Sequence, residues 1–171
     1  MRTIILRGLA IMGALATPAA SWAATTPGSL NVTATVAAAC IIGTPTDIAF
    51  GSVSQNTAVV NADGAIRFTC TNTTPWFVTV STGSHPTGTT TIQNNMQNGS
   101  DNTQLLSYNL YSNTGRTTAF PTTVGTLGSG VTGGTGNGQV QTVNIYGQIP
   151  TGQVLPTPGS YSDIVAVTVN Y

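Results

Sequence analysis

Along residues 29–36, SLNVTATV, apolar Leu30, Val32, Ala34 and Val36 alternate with polar Asn31, Thr33 and Thr35. A period of two predicts a half-buried β-strand, because successive side chains of a strand point to opposite faces. Residues 37–39 are all alanine and lead directly into Cys40. They supply none of the residues suited to the positive φ of a tight hairpin, so this strand has no easy way to fold back on the segment after it. Short apolar runs then recur to the end of the chain: Cys40-Ile41-Ile42, Ile48-Ala49-Phe50, AIRFTCT at 65–71, WFVTVST at 76–82, LLSYNLY at 105–111 and QVQTVNIYGQI at 139–149. In the second half of the closing YSDIVAVTVNY, Val165, Val167, Val169 and Tyr171 share one face. Clusters of Gly, Pro, Asn and Thr separate these runs, and no helical period appears. Many short strands with turn signals between them predict an all-β sandwich.

The same pattern gives finer readings. In AIRFTCT, Ile66, Phe68 and Cys70 fall on one face. Tyr108 and Tyr111 lie on opposite faces of their strand, so one of them at most belongs to the core. Trp76, six residues after Cys70, reads as core packing rather than as a sugar-stacking platform. Residues 125–138, half of them glycine, read as a mobile surface loop. No Lys or helix start comes after it, as a phosphate cradle would require, and the aspartate-bearing repeat of a calcium β-helix is missing.

The N-terminal residues have a different character. Arg2 and Arg7 precede an apolar stretch from Gly8 to Ala16, and Ser21-Trp22-Ala23 offers small residues at the positions a signal peptidase reads. Residues 1–23 are therefore expected to be a secretory signal. Residues 24–39 come next as an N-terminal extension and 40–171 as one β-sandwich domain.

Past residue 23 the chain contains no Lys and no Glu, and its two arginines, Arg67 and Arg116, face four aspartates. Two cations cannot form the basic patch a nucleic-acid partner needs. Export implies an oxidising compartment, so Cys40 and Cys70 are expected to form a disulfide. Two thiols and a distant His85 do not make a zinc site. The carboxylates Asp47, Asp63, Asp101 and Asp163 read as turn and cap residues rather than a catalytic pair. Ser84-His85 sits in a loop sequence, and adjacency alone does not make a triad. Three Asn-x-Ser/Thr matches, at Asn31, Asn72 and Asn98, carry little weight in a chain so rich in Asn and Thr. No catalytic residue, cofactor, metal or small-molecule substrate is expected.

Several motifs together resemble a known family: a cysteine after a short N-terminal strand, Phe50-Gly51, FTCTN, Asn95-Met96, LSYNLYSNTGRT, VNIYGQIPTGQ and PGSYSDIVAVTVNY, with Gly159, Tyr161, Asp163 and Tyr171 as the most specific positions. The chain is similar to the spore coat protein U domain family, whose best understood members are archaic chaperone–usher pilins. It departs from the family at Phe120-Pro121, where many members carry Trp-Gly. The resemblance implies an immunoglobulin-like sandwich lacking its last strand and completed by a donor strand from a neighbouring subunit. Leu30, Val32, Ala34 and Val36 would be the donor strand. Val165, Val167, Val169 and Tyr171 would form the acceptor groove and chaperone edge. The implied partners are copies of the chain in a fibre, a periplasmic chaperone and an outer-membrane usher. The implied setting is an extracellular pilus, reached through the periplasm, that supports attachment and biofilm formation. Alternatives are a self-complemented secreted or surface-coat domain and a carbohydrate-binding domain.

Overall fold

A computed structural model describes residues 22–54 and 57–171, and the folded unit spans residues 36–171. The expected signal segment lies outside the described residues except for Trp22 and Ala23. The described residues contain strands β1 (Cys40–Ile42), β2 (Val60–Cys70), β3 (Pro75–Val80), β4 (Asn94–Asn98), β5 (Leu105–Tyr111), β6 (Gly133–Thr135), β7 (Val140–Ile149), β8 (Tyr161–Ser162) and β9 (Val167–Asn170), with no helix among them. All ladders are antiparallel. One sheet runs β1-β2-β7-β5-β4-β8 and the other β6-β3-β9.

The alternation read from the sequence sets which side chains face inward. In β2, Gly64, Ile66, Phe68 and Cys70 are buried while Asn61, Asp63 and Arg67 are exposed. β7 pairs with it so that Ile66 lies opposite Val143 and Gly64 opposite Ile145. Leu106, Tyr108 and Leu110 extend the same inner face on β5. β3 breaks the alternation: every residue after Pro75 is buried. Its inner face meets the other sheet, where the Trp76 ring stands edge-on to Phe68 at 4.8 Å between centroids. Its outer face is covered as well, since Gly125 lies close over the Phe77 ring. A strand buried on both faces reads as a continuous apolar run.

The disulfide joins Cys40 to Cys70 with Cα atoms 4.1 Å apart, locking β1 to the end of β2. A closed loop of about 31 residues is worth roughly 3–4 kcal/mol in the chain-entropy description. Phe120, at the departure from the family pattern, is buried. Its N–H donates to the Leu110 carbonyl of one sheet, and the Pro121 carbonyl accepts from Val80 N–H of the other. This segment therefore crosses between the two layers.

Two expectations are corrected, and one strand that the sequence pattern did not indicate is added. Residues 125–138 do not form a free surface loop. They contribute β6, Thr132 is buried, Gly128 N–H donates to the Trp76 carbonyl, and the Thr132 carbonyl accepts from Val78 N–H. Glycine allows this because a Cβ on Gly134 would lie 2.5 Å from the Trp76 ring. Ile48-Ala49-Phe50 is apolar yet forms no strand. β4, NNMQN, is a strand that its polar sequence conceals, with Asn95 buried beneath a network to Ser107, Thr87 and the His85 carbonyl.

The segment around Ile48 is seated by missing side chains. Cβ atoms built on Gly64 and Gly147 would lie 2.6 and 2.8 Å from Ile48 carbons, and the one on Gly147 would also lie 2.9 Å from the Phe50 ring. Mid-strand glycine of this kind marks close approach by another piece of backbone or side chain. Gly147→Val should therefore destabilise the domain by about 1–3 kcal/mol through overpacking. Gly99→Ala, where the nearest atom lies 4.0 Å away, should change stability by less than about 0.5 kcal/mol. Denaturant midpoints of the two variants compare them directly.

Candidate functional site

β9 forms one edge of the three-stranded sheet. It pairs with β3 from Phe77↔Asn170 to Val80↔Val167 and has no ladder on its other side among the described residues. Across from it runs the segment 45–50, tied to β2 by reciprocal bonds between Thr46 and Ala65 and by Gly43 N–H to the Arg67 carbonyl. Between these two walls lies an open cleft of about 350 Å³. Its floor is the inner face of the six-stranded sheet, with Ile66, Tyr108, Leu110 and Ile145. Ile48 and Phe50 line one side, Val165 and Val167 the other. A second recess, about 860 Å³, continues past Val53, Leu106, Ile149 and Leu155. The two share Ile48, Phe50, Met96 and Tyr161, so the cleft and the recess are neighbours.

The residues singled out by sequence are distributed unevenly. Val165 and Val167 line the cleft. Val169, opposite Val78, is buried in the core instead. Tyr171 comes after the last strand and remains 55% exposed, outside the cleft lining. Residues 22–39 form no strand and are exposed throughout, with Leu30, Val32 and Val36 at 88%, 86% and 87% and Ala34 exposed as well. The opposite wall, Ile48 and Phe50, was not assigned to a site by sequence reasoning. Its signal was there in Phe50-Gly51 and in the two mid-strand glycines that make room for it.

One buried carboxylate organises the rim of the cleft. The Asp163 side chain, only 3% exposed, sits between β8 and β9. Its Oδ2 accepts the Tyr108 hydroxyl at 2.6 Å, and its Oδ1 accepts the Ser84 N–H at 2.8 Å. His85 Nδ1 lies 3.4 Å from the same Oδ1. Asp163 thus comes together with the adjacent Ser84 and His85 although it is far from them in sequence. Their bonding is structural: the Ser84 hydroxyl donates to the Ile164 carbonyl and not to the imidazole. Burial, and then the hydrogen bond and charge of Asp163, push the Tyr108 phenol well above its ordinary value. Among the described residues, no group of three or more His, Cys, Asp or Glu could hold a metal ion.

The sequence model of the Spore Coat Protein U domain matches residues 26–168. No curated protein matches the chain. Among solved structures, the chain is similar to one in the CsuC–CsuE chaperone–tip adhesion subunit pre-assembly complex, from archaic chaperone–usher Csu pili of Acinetobacter baumannii. That match has 20% identity and a TM-score of 0.49; it covers 80% of this chain and 40% of the other.

The Tyr108–Asp163 bond has a pH signature. The folded state holds the phenol protonated, while the unfolded phenol titrates near pH 10. This contribution to stability is full below about pH 10 and is lost as pH rises, at about 1.4 kcal/mol per pH unit. Unfolding free energies of the native chain and Tyr108→Phe, compared from pH 9 to 12, should converge as the alkaline range is entered.

Proposed function

Because the chain belongs to the Spore Coat Protein U domain family, we propose that it is a structural subunit of an extracellular chaperone–usher pilus that polymerises by donor-strand complementation. The observation that carries this reading is the largely apolar cleft beside the unpaired edge of β9, together with an alternating segment, 29–36, that forms no strand among the described residues. Addition of a strand to an open edge satisfies main-chain donors and acceptors, while alternate side chains fill the apolar floor. Leu30, Val32 and Val36 would each contribute about 1.5–3 kcal/mol on burial. Each backbone bond along the new ladder adds about 0.5–1.5 kcal/mol.

The same physics calls for a chaperone. An apolar sheet edge left open invites indiscriminate pairing, so a periplasmic partner would occupy it first and hand the subunit to an outer-membrane usher. The occupant that replaces the chaperone is then the extension of another copy. The assembled fibre would serve in surface attachment and biofilm formation.

Deleting residues 24–36 tests the donor assignment. The truncated subunit should still bind its chaperone and still accept a strand, yet end every chain it joins. Leu30→Asp with Val32→Asp should do the same, because neither charge finds a partner in an apolar cleft. Asn31→Asp and Thr33→Asp, on the opposite face, should be mild. The readout is the ladder of heat-sensitive multimers. A truncated protein that still polymerises would rule the donor role out, and one that stays monomeric and unfolds would favour self-complementation.

The acceptor side is tested separately. Val167→Asp places a charge on the cleft wall, and the expected result is loss of the chaperone complex and periplasmic degradation. Normal recovery of that complex would count against the assignment.

A further inference from the structure

In a fibre of the proposed kind, tension would enter each subunit at its extension, immediately before Cys40, and leave through the walls that grip the next donor strand. Along the backbone, the first wall reached is the segment 45–50. Little holds the chain up to that point. The extension root is tied by Thr71 N–H to the Ala39 carbonyl, β1 has three ladder pairs, and Gly43 and Thr46 add their bonds to β2. Ile41 is 74% exposed and Ile42 42%, so no fully buried side chain anchors the stretch from Ile41 to Ile48. Bonds strung along an edge strand can be broken one after another from its end. Pulling on Cys40 alone would therefore peel residues 41–50 and carry Ile48 and Phe50 out of the cleft.

We infer that the Cys40–Cys70 disulfide diverts fibre tension around this wall, so that the grip on the donor strand survives load. This rests on the donor-strand reading. Cys70 is fully buried at the end of β2, which is paired to β7 over ten register positions. On its other side, four residues of turn lead into β3, and β3 is laddered to β9, the opposite wall of the cleft. Force arriving at Cys70 thus passes by two routes into the body of both sheets. Residues 41–69 become a covalently closed loop in parallel with the tension rather than in series with it. The cleft wall inside that loop then bears only its share of the load from the donor strand it grips, and none of the pull that arrives at Cys40.

Stretching single fibres assembled from the chain tests this. Oxidised fibres give the reference force–extension curve. Fibres reduced after assembly should stay intact at rest but show an added lengthening per subunit, of at most about 35 Å, the fully extended length of the ten residues peeled. They should then release subunits at lower tension. Fibres of the paired variant Cys40→Ala and Cys70→Ala should behave like the reduced ones; if that variant cannot assemble, reduction of preassembled native fibres answers the question alone. Identical force–extension curves for oxidised and reduced fibres would overturn the inference while leaving donor-strand assembly standing. Reduced fibres that fall apart without load would also overturn it, since the disulfide would then be holding the fold itself. If the chain forms no heat-sensitive multimers at all, the donor-strand reading fails first and takes this inference with it.

Discussion

The rest of the molecule is shaped by an imbalance between its two layers: a sheet of six strands faces one of three. The larger sheet presents a continuous apolar inner face, and every part left uncovered costs about 25 cal/mol per Å² of apolar surface. β3 and β9 cover the middle of it, where Phe68, Trp76, Val78 and Val169 interlock. Beyond β9 the smaller sheet stops, while the floor continues through Tyr108, Leu110 and Ile145. The segment with Ile48 and Phe50 closes part of the gap from the far side. What remains is a strip with an apolar bottom and an unpaired backbone edge along one wall.

The positions of the two walls depend on a few contacts. Gly64 and Gly147 let Ile48 and Phe50 sit against the sheet, because a methyl group at either place would occupy the same space. Asp163 holds the other side where the chain leaves β8 for β9, collecting the Tyr108 hydroxyl from the floor and the Ser84 N–H from the loop after β3. A buried carboxylate is tolerated there because hydrogen-bond donors meet both of its oxygens. Both arrangements are also placed at or near the cleft, so they position it as well as stabilise the fold.

The low charge of the chain suits this design. Arg116 is one of two arginines past residue 23, and it is committed internally: to Asp63, to the Gly147 carbonyl at 3.1 Å and to the face of Tyr146. What the surface offers instead is hydroxyls, amides and isolated apolar side chains. Such a surface recognises partners through backbone pairing and shape more than through long-range charge.

The sequence by itself determined the fold class, the main strands and their inward faces. Alternation is a local property, written into Ile66-x-Phe68-x-Cys70 and Leu106-x-Tyr108-x-Leu110, and each strand carries it whatever its neighbours. It also determined the partner of Cys40, since only one other cysteine exists. Tertiary structure alone decided the rest. β4 is polar and β6 is mostly glycine, so neither announces itself; each is a strand because an existing strand, β5 or β3, offers it backbone partners. The far wall of the cleft is set by two glycines on strands distant in sequence from Ile48. Val169 is buried in the core and Val167 lines the cleft, although both lie on one face of β9 and both are paired to β3. The meeting of Ser84, His85 and Asp163 has the same origin. These are facts of which segments lie side by side, and a local period of two carries no information about that.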